Sequence, residues 1–234
     1  VLKPSQFIDQ FRRDVDDLRE GTAGDSDSEN LWSDPDVYRY LNAGLSETAR
    51  RTFYLLPRII KLDVTAGNAD LGCEDAAKIL HIERARLLTA RISLEEMNMR
   101  GPGSVEDDYG YLIHNAPDFE NTVGTPHRFI RDYAPKTIRL YPIPMAADTL
   151  QLHTYMLPST VVAASEVPSE YAEPRVFEMV LMFMKSMAYQ KQDADTQDLA
   201  RAGGFSDEFE AAVRDFKSEL LRRRRTPGTT RFSW

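Results

Sequence analysis

Apolar positions recur every three to four residues near both ends of the chain and at shorter spacing in the middle. Phe7, Ile8, Phe11, Val15 and Leu18 fall on one helical stripe, with Asp9, Arg13, Asp16 and Asp17 on the wet side, which predicts a helix from about Ser5 to Arg19. Gly21–Asn30 is too polar and glycine-rich to pack and reads as a loop. Four residues then mark a second helix start: Ser33 and Asp36 stand at capping-box spacing, and Trp32 and Val37 occupy the two staple positions. This helix would turn Val37, Tyr40, Leu41, Leu45 and Thr48 inward and end near Tyr54, ahead of Pro57.

From Ile59 to Pro158, short β-branched and aromatic runs alternate with glycine, proline and asparagine. The runs are Ile59–Val64, Lys78–Glu83, Leu87–Leu94, Arg128–Tyr133, Thr137–Tyr141 and Thr149–Met156. Ile138 and Leu140 alternate with Arg139, and Leu150 and Leu152 with Gln151 and His153. The last two runs are therefore expected to form a hairpin across Pro142–Asp148. Glu95–Arg100 reads as a short helical turn and Gly101–Asn121 as an exposed excursion.

Helical spacing returns at Pro174, suited to a first helical position where its missing N–H costs nothing. Val176, Phe177, Met179, Val180, Leu181, Met182, Phe183, Met184, Met187 and Ala188 cover most of that helix's circumference, so it must be central or buried in an assembly. A short helix over about Asp193–Arg201 is expected to stop at Gly203-Gly204. A final helix would be capped by Ser206, with Phe205 ahead of it and Phe209, Val213, Phe216 and Leu220 on one face. No repeat of solenoid length is visible. The pattern gives an α+β fold: a helical bundle formed by the N- and C-terminal segments, with an inserted β-rich module of sandwich or barrel type. The expected divisions are 1–57 and 166–225 for the bundle, 58–165 for the insertion and 226–234 for an extended tail.

Composition fits this picture: 234 residues with 42% hydrophobic positions can bury a sizeable core. A mean hydropathy of -0.45 and the lack of a long apolar run argue against membrane insertion. Cys73 has no partner for an internal disulfide and no charged-apolar-small leader is visible, so synthesis in the cytosol is expected. The net charge of -8 disfavours general nucleic-acid binding, and it is unevenly spread. Residues 1–36 hold ten acids against four bases, whereas residues 214–234 hold seven bases against two acids.

Candidate chemistry is sparse. His81, His114, His127 and His153 lack metal-ligand spacing, and they read as scattered surface or strand residues. Asp25, Asp27 and Glu29 alternate like a calcium loop, but Asn30 stands where glycine is needed and Asp36 where a bidentate glutamate is needed. No GxSxG, GxGxxG or Walker-type motif occurs, and the pairs Glu95-Glu96 and Asp107-Asp108 mean little among 37 acids. No catalytic residue, metal or cofactor is expected. Met179, Met182, Met184 and Met187 suit core packing, with an adaptable partner surface as the alternative. Arg222, Arg223, Arg224 and Arg225 exceed what a helix C-terminus requires of its cations. Beyond them, past Arg231, Phe232 and Trp234 would serve as anchors if the tail orders on a partner; the alternative is a frayed terminus.

In layout the chain resembles the head-to-tail adaptor, or connector, proteins of tailed bacteriophages, especially those of short-tailed phages. The similar parts are Leu31–Asn42, Ile138–Pro144 with Asp148–Pro158, Val167–Tyr171 before the long helix, and Tyr189–Asp195 with the return to Phe209. They extend from about Leu31 to Leu220. Gly101–Asn121 and Gly21–Asn30 depart from many relatives.

The resemblance implies a virion protein of the phage neck, forming a ring of roughly twelve copies under the portal protein and above a downstream tail or nozzle protein. The helical part would form the ring body. The C-terminal segment, with Arg222–Arg225, Arg231, Phe232 and Trp234, would reach into the portal. Genomic DNA would pass through the channel without specific binding, and no membrane would be involved. Three other readings stay open: another neck component such as a stopper or tail terminator, a nucleic-acid-binding protein using the Arg block, and a hydrolase with dispersed carboxylates.

Overall fold

The structure is a computed structural model that describes residues 2–17, 31–52, 55–97, 121–191 and 197–224. It divides into two compact units. One contains Val1–Leu55 and Pro158–Trp234, the other Leu56–Leu157.

The first unit holds four α-helices among the described residues: α1 (Pro4–Asp14), α2 (Asp34–Thr52), α3 (Pro174–Tyr189) and α4 (Leu199–Arg224). α1 starts at Pro4, and the Gln6 side chain accepts the Lys3 N–H at 3.0 Å. It ends at Asp14, earlier than the expected Arg19, because Asp16 turns left-handed (φ 54°) and the Asp17 N–H closes on the Arg12 carbonyl at 2.9 Å. Buried ionic contacts fix this end. Arg12 donates to Asp17 at 2.5 Å, to Asp34 at 2.6 Å and to the Trp32 carbonyl at 3.2 Å, while Asp17 accepts the Leu31 N–H at 2.7 Å.

The capped start of α2 is present: the Ser33 hydroxyl donates to the Asp36 carboxylate at 2.9 Å, and Trp32 and Val37 are buried. Val37, Tyr40, Leu41, Leu45 and Thr48 all face the core, as their spacing predicts.

α3 is the centre of this unit and packs against the other three helices. Phe177 stacks on Phe7 at 4.2 Å between centroids, and Lys185 pairs with Asp14 at 2.6 Å. Trp32 donates its indole N–H to the Ala188 carbonyl at 3.2 Å. Gly44 lets α2 approach closely: a Cβ there would lie 3.2 Å from both the Val180 side chain and its carbonyl. The buried Tyr171 hydroxyl donates to the Leu45 carbonyl at 2.7 Å.

Among the described residues the second unit forms a seven-stranded sheet curled around its main core cluster. Its strands are β1 (Pro57–Val64), β2 (Asp70–Gly72), β3 (Ile79–Leu87), β4 (Ser93–Met97), β6 (Arg128–Ala134), β7 (Thr137–Tyr141) and β9 (Asp148–Met156), in the order β1-β9-β3-β4-β6-β7-β2. All pairs are antiparallel except β4–β6. A separate ribbon pairs β5 (Val123–Gly124) with β8 (Ile143–Pro144). Val64, Leu71, Ile82, Leu87, Leu94, Phe129, Ile138, Leu140, Leu150 and Leu152 meet in a single cluster. One face of every strand therefore turns inward, and the fold is α+β with a β-rich module.

Several local expectations are corrected. Leu87–Leu94 is not one strand, because the chain turns at Leu88–Ala90 and the Leu87 N–H closes on the Ile92 carbonyl at 2.9 Å. Residues 95–97 belong to β4 and are not a helical turn; residues 98–100 lie outside the described residues. β7 and β9 do not form a hairpin: β7 is flanked by β6 and β2, and β9 by β1 and β3, so no edge is left for them to share. The break expected at Gly203-Gly204 is absent. α4 runs straight through both glycines, and Ser206 lies inside it. The reason is tertiary, since Ala202, Phe209, Val213 and Phe216 on its buried face hold the segment helical. The expected loop at 21–30 and most of the excursion at 101–121 lie outside the described residues.

Candidate partner-docking site

α4 is the element that positions the basic block. Asp198 caps its start, accepting the Arg201 N–H on a side-chain oxygen at 3.0 Å and the Ala202 N–H on its carbonyl at 2.9 Å. Contacts then fix it along its length. Tyr189 stacks on Phe205 at 6.0 Å, Phe183 meets Phe209 edge-on at 5.3 Å, and the Ser186 hydroxyl donates to the Ala202 carbonyl at 3.0 Å. Arg51 reaches Glu210 at 3.2 Å, and Arg175 pairs with Glu219.

Beyond Glu219 the helix ends in a run of arginines. Leu221 and Arg222 are exposed. Arg223 and Arg224 occupy the last helical positions, so the structure brings these three arginines to one helix end, where the unpaired carbonyls favour positive charge. Arg225, Arg231, Phe232 and Trp234 lie outside the described residues.

The outward stripe that ends at Arg222 contains Gly204, Glu208, Ala211, Asp215 and Ser218, all exposed. Sequence periodicity misses this stripe, because the break expected at the glycines hides its continuity. It also misses Lys61, Arg84 and Arg86, which only strand register brings to one face of the sheet.

The other candidate groups are dispersed or buried. Among the described residues, no cluster of three or more His, Cys, Asp or Glu is arranged to hold a metal ion. His81 and His153 lie on β3 and β9, and His127 precedes β6. Cys73 is buried, which pushes its thiol above the usual value. Glu96 pairs with Arg131 at 3.6 Å. Met179 and Met184 are core residues, whereas Met182 and Met187 are partly buried. Among the described residues, no helix is long and apolar enough to cross a membrane.

The described residues thus form a helical unit built from the first and last parts of the sequence and a separate β-rich unit. The chain belongs to the SU10 adaptor protein family, whose model matches residues 4–231. That match bears out the resemblance to phage head-to-tail adaptors, and it makes the protein a member of a family of structural phage adaptors. No curated protein matches the chain.

Proposed function

We propose that the protein is the head-to-tail adaptor of a phage neck. It assembles as a ring of about twelve copies beneath the portal protein, extends the DNA channel and offers a docking platform to the downstream tail protein. It acts by contact alone, without an enzymatic step or a cofactor, and resides in the virion. The family match over residues 4–231 carries the reading. The form of α4 supports it: the helix is fixed to α3 through Phe205, Phe209 and Glu219 and ends in exposed Arg222, followed by a basic segment that includes Phe232 and Trp234. Arginines there pair with carboxylates of the portal, and the two aromatics fill pockets between its subunits. A net charge of -8 suits a conduit along which DNA slides without adhering.

The test is electron microscopy of the purified protein, alone and mixed with its cognate portal. A ring stacked on the portal is the expected image. A protein that leaves the portal bare would overturn the reading, and density at another level of the neck would assign it to a stopper or terminator instead.

A further inference from the structure

We propose that the open edge of β1 in one copy takes up residues 229–234 of a neighbouring copy as an added strand until the portal claims that segment. The contact goes beyond the adaptor reading, and its test needs no portal.

β1 and β2 are the two edges of the sheet. β2 is three residues long, whereas β1 runs for eight and pairs with β9 without a register shift. Which side of β1 is open follows from its partner. The Leu88 N–H donates to the Thr149 carbonyl at 3.0 Å, so Thr149, Gln151 and His153 turn their main chain toward β3. The Met156 N–H donates to the Leu56 carbonyl at 3.0 Å, so Leu150, Leu152 and Thr154 turn theirs toward β1. The register then sets Arg58, Ile60 and Leu62 against β9 and leaves the N–H and C=O groups of Ile59, Lys61 and Asp63 on the free edge. No described residue bonds them. Pro57 falls in the same row, where a missing N–H costs no ladder bond.

Natural edge strands are blunted by shortness, bulges or charge. β1 has the charges of Lys61 and Asp63 but neither of the other devices, and it leaves Ile59 59% exposed. On the core side Ile60 and Leu62 are only half-buried against the apolar cluster. Unpaired main-chain groups beside half-covered aliphatic side chains fit an extended polypeptide with apolar residues on one face, a pattern that neither a DNA duplex nor a lipid offers.

The chain contains such a segment. Thr230, Phe232 and Trp234 alternate with Thr229, Arg231 and Ser233, and Pro227-Gly228 sets the run apart from α4. The ten residues after Arg224 span about 33 Å when extended, enough to leave the copy that carries them. Added to the edge, the segment would bond Ile59 and Lys61 through its main chain and lay Phe232 and Trp234 over Ile60 and Leu62. The contact rests on main-chain bonds and apolar burial, so the mixed charges around β1 do not decide it. One segment cannot occupy two places, and portal binding therefore releases the edge.

Hydrogen exchange of the full chain without portal reads the edge directly. At high protein concentration the Ile59 and Lys61 amides should exchange at least about tenfold more slowly than in a full-length chain carrying Phe232→Ser and Trp234→Ser, and dilution should remove the difference. A fluorescent peptide of residues 226–234 should bind the protein saturably. Ile59→Pro should weaken that binding about tenfold, because it removes an outward N–H and leaves the β9 ladder whole. Circular dichroism checks that this variant is folded, and the exchange comparison needs no change in the sheet.

Equal exchange with and without the two aromatics would overturn the contact, as would equal peptide affinity for Ile59→Pro. Protection that survives dilution would place the segment on its own chain and overturn the pairing between copies. With portal added the amides should exchange fast again, and protection retained in captured protein would overturn the release. A portal left bare while protection holds would overturn the adaptor reading alone.

Discussion

The carboxylate of Asp148 accepts backbone N–H groups from Thr89 at 2.8 Å, Ala90 at 2.9 Å and Thr149 at 2.6 Å, tying the turn after β3 to the start of β9. Burial alone raises this carboxyl, but the hydrogen bonds outweigh it and hold the group below its ordinary value of 3.8. Asp36 is likewise raised by burial and lowered further by the Ser33 hydroxyl and the Lys191 ammonium, with the same net direction. A depressed folded value means stability that is fully present above the unfolded value and lost as pH falls through the folded one. The thermal midpoint should therefore decline as pH drops below about 4, and Asp148→Asn should shrink that decline. Acid titrations of both proteins check this, and superimposable profiles would show that the Asp148 carboxylate contributes nothing. Ser33 and Asp36 are legible in the sequence because they are three residues apart. Asp148 is not, because two of its partners lie 58 and 59 positions away.

At the scale of elements, α4 shows where local signals lose. Two adjacent glycines signal a helix end, and each costs about 1 kcal/mol relative to alanine inside a helix. Burial of Ala202, Phe209, Val213 and Phe216 on the same helix outweighs that cost, since large side chains contribute about 1.5–3 kcal/mol each. Replacing Gly203 and Gly204 by alanine should raise the denaturant midpoint of the helical unit, because the added methyl groups meet open space. An unchanged or lower midpoint would mean that the glycines serve the isolated chain in some other way. The strands of the sheet divide similarly: the alternation in Thr137–Tyr141 and in Asp148–Met156 is visible in the sequence, but each strand's neighbours are not.

At the scale of the molecule, the acidic start and the basic end are legible as charge counts along the chain. Thr226-Pro227-Gly228 is a sequence that does not continue a helix, so deletion of residues 226–234 should leave the far-ultraviolet spectrum unchanged and abolish capture of the portal in a pull-down. Alanine at Arg222–Arg225 should weaken capture and flatten its dependence on salt. Full capture by the deleted chain would remove the C-terminal segment from the proposed interface.

By itself the sequence determined the α+β class, the inward face of α2, the central place of α3, the capped start at Ser33 and most of the strands. These features rest on periodicity and on contacts between residues a few positions apart, which any folded context preserves. The tertiary structure decided the strand order, the continuity of α4 and the gathering of Lys61, Arg84 and Arg86 on one face. Each of those outcomes depends on which distant segment occupies an edge or covers an apolar side. That choice is set by the burial available to the whole chain, and local pattern does not encode it.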